Sequence, residues 1–193
     1  MKKKIFLLTL AACLIILSIA GSSLAYFTDT DAKANVFTAG NVDITLKYEA
    51  TDNRFYPGKT HTTYANITNG NSEEAYIGAV IDITIPSNTS SLTINNILDV
   101  FTGLNANTVK YVKNGNVYTV YVIVENEVAV NTKVDIFTDV TIPEAWNNAD
   151  MSVFNGLDVK ITAFATQTVG FNNATEALTK AFKNTVWDNY PVA

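Results

Sequence analysis

Cysteine is almost missing from this 193-residue chain, and its one copy, Cys13, lies inside an apolar N-terminal run. The rest of the chain therefore offers no disulfide, no thiolate nucleophile and no cysteine-ligated metal. Histidine is as scarce, with His61 alone. A hydrolytic zinc site normally takes three protein ligands rich in histidine, and no His-Glu-x-x-His occurs. His61 reads as a surface residue on a strand, beside Thr60, Thr62 and Thr63. Gly-x-Ser-x-Gly is missing, and the nine glycines stand singly. A nucleophile elbow and a phosphate-cradling loop are thus both excluded. Positive charge is short too. Lys2, Lys3 and Lys4 precede the apolar run; past it, ten basic residues face 18 acidic ones. That balance argues against nucleic acid or an anionic membrane face as partner.

What is present begins with a leader. A cationic start, an apolar run from Ile5 to Ala20 and the small residues Ser23-Leu24-Ala25 read as a secretory signal over 1–25. Cleavage is expected between Ala25 and Tyr26, with signal peptidase as partner and only transient membrane contact. The 16-residue run (5–20) spans roughly 24 Å as a helix, short of the ~30 Å hydrocarbon core. Leu10-Ala11-Ala12-Cys13 resembles a lipoprotein box, but apolar Leu14-Ile15-Ile16-Leu17 follows where a polar tether belongs. The expected location is extracellular, in the matrix or on the cell surface.

Beyond the leader the chain reads as one mostly β domain over 39–193. Val42 to Tyr48, Thr62 to Thr68 and Leu157 to Thr166 alternate apolar and polar residues, the mark of half-buried strands. Ala75 to Ile85 is a long strand with Ala79, Ile81, Ile83 and Ile85 on one face, stopped by Pro86. Asn114-Gly115, between Val109–Lys113 and Val117–Val124, predicts a tight hairpin. A further strand is expected from Val128 to Ile142, and irregular chain from Glu144 to Gly156. Two short helices are predicted, at about 91–104 from the spacing of Leu92, Ile94, Ile97, Leu98 and Phe101, and at about 174–186 after Asn172-Asn173. Strand runs without βα alternation point to an antiparallel β-sandwich.

Chemistry-bearing groups are few. Asp29/Asp31, Glu73/Glu74 and Glu125/Glu127 are paired carboxylates that read as solvated acids; no loop repeats ligands at calcium spacing. No catalytic residue, metal or cofactor is expected. Trp146, Trp187 and Tyr190, near loops, form the one candidate aromatic platform for a glycan.

Asp31 to Val36 alternates strictly, placing Ala32, Ala34 and Val36 on one side. Two readings stay open. The segment is a first strand within its own domain, or it adds to a neighbour's sheet by backbone hydrogen bonds, with alternate side chains filling pockets. Head-to-tail addition does not close, so it makes a filament.

Leu24-Ala25-Tyr26-Phe27-Thr28-Asp29, followed by Ala34-Asn35-Val36-Phe37-Thr38-Ala39-Gly40-Asn41-Val42-Asp43-Ile44, resembles the start of the TasA/camelysin (CalY) family of exported proteins. Tyr56-Pro57-Gly58, Ala65 to Asn69, and Val159 to Gln167 followed by Gly170-Phe171 are similar to further family segments, as is the helix after them. The resemblance covers both ends of the chain well and the middle poorly. It implies a jelly-roll-like sandwich, processing by an ER-type signal peptidase, and biofilm-matrix fibres built by donor-strand exchange. On that pattern residues 26–38 are the donated strand, with Phe27, Ala32, Ala34, Val36 and Phe37 meeting the neighbour. The partners implied are further copies of the chain and a related matrix protein. One branch, camelysin, is classed as a metallopeptidase, but that activity does not carry over to a chain whose only histidine is His61. The chain's shortness suits an accessory subunit.

Overall fold

Two β layers and a C-terminal helical cap hold most of the buried side chains among the described residues of the computed structural model. It describes residues 35–39, 44–50, 55–70, 73–86 and 92–191. The leader, the cleavage site at Ala25 and Tyr26, Asp29, Asp31, Phe27, Ala32 and Ala34 lie outside the described residues.

The first layer is a five-stranded sheet. Its strands are β1 (Asn35–Ala39), β5 (Ala75–Thr84), β7 (Thr108–Asn114), β8 (Val117–Ile123) and β11 (Asp158–Gln167), in the spatial order β1-β11-β5-β8-β7. The second layer holds two three-stranded sheets. One is β2 (Ile44–Ala50), β4 (Thr63–Asn69) and β9 (Lys133–Phe137). The other is β3 (Thr60–His61), β10 (Asp139–Thr141) and β6 (Phe101–Thr102). Only Thr62 separates β3 from β4, and only Thr138 separates β9 from β10. All pairings between these strands are antiparallel except one, β1 with β11. The expected mainly β, antiparallel sandwich is therefore the fold.

β5 explains the layering. Its odd positions Ala75, Ile77, Ala79, Ile81 and Ile83 enter the core between the sheets, with Leu46, Ile67, Val122, Ile136 and Ile161. Its even positions Tyr76 and Val80 enter a second core, beneath helix α3 (Ala174–Ala181) and a 3₁₀ turn at Val186–Asn189. A strand buried on both faces reads as continuous apolar sequence, as this one does. Gly78 permits the close approach of the cap: a Cβ there would lie 2.8 Å from Leu178 Cδ1 and 3.1 Å from the Trp187 ring.

Several local expectations change. The first predicted helix is only α1 (Ile94–Leu98), capped by Thr93 and Asn96. The chain then turns, and Phe101–Thr102 is recruited as β6 against β10; Gly103 takes φ +85°. Ile94, Ile97 and Leu98 are buried and Leu92 and Phe101 half-buried, so their spacing reported burial but not a continuous helix. The stretch expected to be irregular contains α2 (Asn148–Asn155), started by a reciprocal cap between Asn147 and Asp150. The Val128–Ile142 strand is interrupted. Val128 bridges Ala75, Asn131 adopts φ +61°, and β9 starts only at Lys133. The last helix ends at Ala181, and Asn184 at φ +65° separates it from the 3₁₀ turn. The hairpin forms one residue later than read: Asn114 pairs with Val117, so Gly115 and Asn116 make the turn. Gly115 alone has positive φ, at +62°, which fits a turn with glycine first.

Candidate functional site: the β1–β11 edge

The feature with a mechanism is the edge where β1 lies. Val36 stands opposite Ala163, Phe37 opposite Phe164 and Ala39 opposite Thr166, in parallel register along the same chain's β11. Val36 remains 42% exposed. Ala39 is half-buried against the second core. Of Phe37 only the backbone is described.

β11 is longer than its edge partner. It pairs with β5 over Asp158 to Gln167, but with β1 only over Thr162 to Thr166. Among the described residues, Asp158 to Ile161 have no partner on that edge. An unpaired strand edge presents a row of N–H and C=O groups that any extended chain can satisfy. What this edge offers chemically is therefore unpaired main-chain groups. The structure brings Val36 and Phe37 to this edge.

His61 is corrected. It is buried, with 5% of its surface exposed. Its Nε2 accepts the Tyr56 N–H at 3.2 Å, and its ring meets Phe55 edge-on at 4.9 Å. Thr60 and Thr62 on either side of it are exposed, so the strand alternates here with His61 on the inner face. Among the described residues no group of three or more His, Cys, Asp or Glu side chains could hold a metal.

The aromatic platform is corrected too. Trp187 is 1% exposed and Tyr190 5%. The 3₁₀ turn folds Trp187 back over the sheet, between Tyr121 at 5.4 Å and Phe164 at 5.6 Å. The Tyr121 hydroxyl donates to the Val186 carbonyl at 2.8 Å, fixing the turn. Trp146 is half-buried against Phe154. No flat stacking surface is formed by these three rings.

The carboxylate pairs have separate fates. Glu73 and Glu74 are exposed. Glu127 accepts from the Tyr76 hydroxyl at 3.0 Å, and Glu125 accepts from the Thr108 hydroxyl. One acid missed in the sequence is Glu176. It accepts from Lys180 Nζ at 2.6 Å, from Asn172 Nδ2 at 2.7 Å and from the Asn172 N–H at 3.0 Å. The Lys180 bond first, then the two from Asn172, hold its pKa down from 4.5 to about 2. Its signal was legible: Glu176 stands four residues before Lys180 and three after the capping Asn173.

A depressed folded-state pKa gives stability that is present above the unfolded value and lost as pH falls through the folded one. The start of α3 should therefore loosen from pH 4.5 down to about 2. Amide exchange at Asn172 and Glu176, corrected for intrinsic rates, should rise across that window. The rise should be missing in Glu176→Gln; an equal rise there would show that another group governs the turn.

No protein-family model matches the chain, and no curated protein matches it.

Proposed function

We propose that this is a secreted structural protein of the TasA/camelysin type, with jelly-roll connectivity, that assembles head to tail into extracellular matrix or surface fibres. The N-terminal segment of one copy adds to the sheet of the next. The observation that carries this reading is the position of β1. It is the first described strand, it lies at a sheet edge, and it is the one parallel strand. Its Val36 stays 42% exposed. A strand held mainly by main-chain bonds can be replaced by the same strand from a neighbour, because the ladder is satisfied equally by either. Exchange then trades one set of bonds for another, and the gain comes from the residues before Asn35 reaching a second copy. Such an interface is heterologous and propagates.

The test compares residues 26–193 with residues 39–193 by negative-stain electron microscopy. Filaments are expected only from the longer chain, with the shorter one folded and monomeric. Filaments from both would place the joint elsewhere. Monomers from both would remove self-assembly.

A further inference from the structure

Asparagine followed by glycine occurs three times, at Asn69-Gly70, Asn114-Gly115 and Asn155-Gly156. This dipeptide is chemically labile, because an unbranched glycine lets its nitrogen approach the preceding side-chain amide. The fold treats the three sites very differently.

Asn69 is fully buried, and its Nδ2 donates to the carbonyls of Glu73 and Val128, both at 2.8 Å. The side-chain amide is clamped. Asn155 ends α2, and the Gly156 N–H donates to the Val153 carbonyl at 3.0 Å. There the attacking nitrogen is engaged. Asn114 has neither protection. It is exposed, at the end of the outermost strand β7. Among the described residues its side-chain amide has no hydrogen-bond partner and the Gly115 N–H has no acceptor. A Cβ built on Gly115 would meet nothing within 4 Å, so the turn is open to water.

We infer that Asn114-Gly115 is a site of spontaneous backbone modification, by which the folded protein acquires an isoaspartate at its hairpin tip. The Gly115 nitrogen attacks the Asn114 side-chain carbonyl carbon and gives its proton to water. The bond from that carbon to the side-chain nitrogen breaks, and the nitrogen takes a proton from water and leaves as ammonia. Water then opens the resulting succinimide at one carbonyl or the other, giving aspartate or isoaspartate. No oxidant, enzyme or metal is needed.

The product changes the molecule in two ways. A negative charge appears beside Lys113, whose ammonium lies 5.3 Å over the Tyr118 ring. Isoaspartate also lengthens the main chain by one carbon between Asn114 and Gly115. The Asn114–Val117 pair that closes the hairpin then loses its register. The modification thus ages one edge of the five-stranded sheet while leaving the β1 edge untouched.

The test incubates the folded protein at pH 8.5 and about 37 °C, with aliquots mapped by peptide mass spectrometry and isoaspartate distinguished by electron-transfer fragmentation. Asn69 and Asn155 must first open locally, so Asn114 should convert at least about tenfold faster than either. In concentrated urea the three should convert at similar rates, since all are Asn-Gly. Asn69 or Asn155 keeping pace in the folded protein would overturn the inference. So would an Asn114 that stays intact when folded but converts in urea, since that would mean the hairpin protects it. Hydrogen exchange on the aged sample should rise at Lys113 and Tyr118; exchange unchanged after full conversion would overturn the claim of lost register.

Discussion

An oxidised Val36→Cys, Ala163→Cys protein should form no filaments, and reductant should restore them. The two positions are register partners on β1 and β11. Adjacent strands lie roughly 4.8 Å apart, inside the ~4.4–6.8 Å Cα range that a disulfide spans. The chain after Cys13 has no cysteine to compete. The bond pins β1 to its own sheet, so exchange with a neighbour is blocked while the sandwich stays folded. It also closes a very long loop, which should raise stability by about 3–5 kcal/mol. The result is diagnostic because the two readouts move oppositely: the melting temperature rises as filament mass falls to background. Filaments that persist in the fully oxidised protein would show that β1 need not leave β11, and the exchange reading would fail. A melting temperature that falls would instead show that the cross-link distorts the edge.

Replacing Trp187 with Ala should be the most damaging single truncation of the cap. The ring is 1% exposed and packs against Tyr121, Phe164 and Tyr190. Truncation of a buried tryptophan removes its transfer free energy and leaves a cavity, together about 3–5 kcal/mol. That is a large share of the ~5–15 kcal/mol a domain of this kind has. The cavity can collapse only in part, because the sheet beneath is fixed by pairing on both sides of β5. Urea denaturation should show the midpoint falling sharply with the slope little changed. Trp146→Ala, at a half-buried position, provides the comparison and should be milder. A Trp187→Ala loss below about 1 kcal/mol would place it among ordinary surface changes and contradict its role in the second core.

These two experiments touch the two parts of the fold that local sequence pattern conveyed least. The isoleucines of β5 announced one buried face plainly, and the β7–β8 hairpin was legible from Asn114-Gly115 to within one residue of its turn. The other face of β5 was not, because Tyr76, Gly78 and Val80 acquire their meaning only from Phe164, Leu178 and Trp187, some hundred residues later. Trp187 near the chain's end looked like a loop residue for the same reason. His61 shows a finer failure. A polar side chain among threonines reads as exposed, and nothing local says that Phe55 and the Tyr56 N–H await it. α2 was missed because its apolar residues Met151, Val153 and Phe154 are too few to set a period. The Asn147/Asp150 cap was the available signal. As for the candidate site, alternation from Asp31 to Val36 marked an extended segment, but period two cannot say which strand an edge will accept. The parallel register with β11 is a tertiary fact.

That register also dictates an order of events. Asn35 to Ala39 leave the ribosome among the first residues of the domain, yet Thr162 to Thr166 leave it near the last. Closing so long a loop is slow compared with forming the hairpin of β7 and β8. For most of synthesis the first strand has a sequence and no address. The edge it occupies is built from chain made long after it, so β1 must wait for β11 before its main-chain groups can pair there.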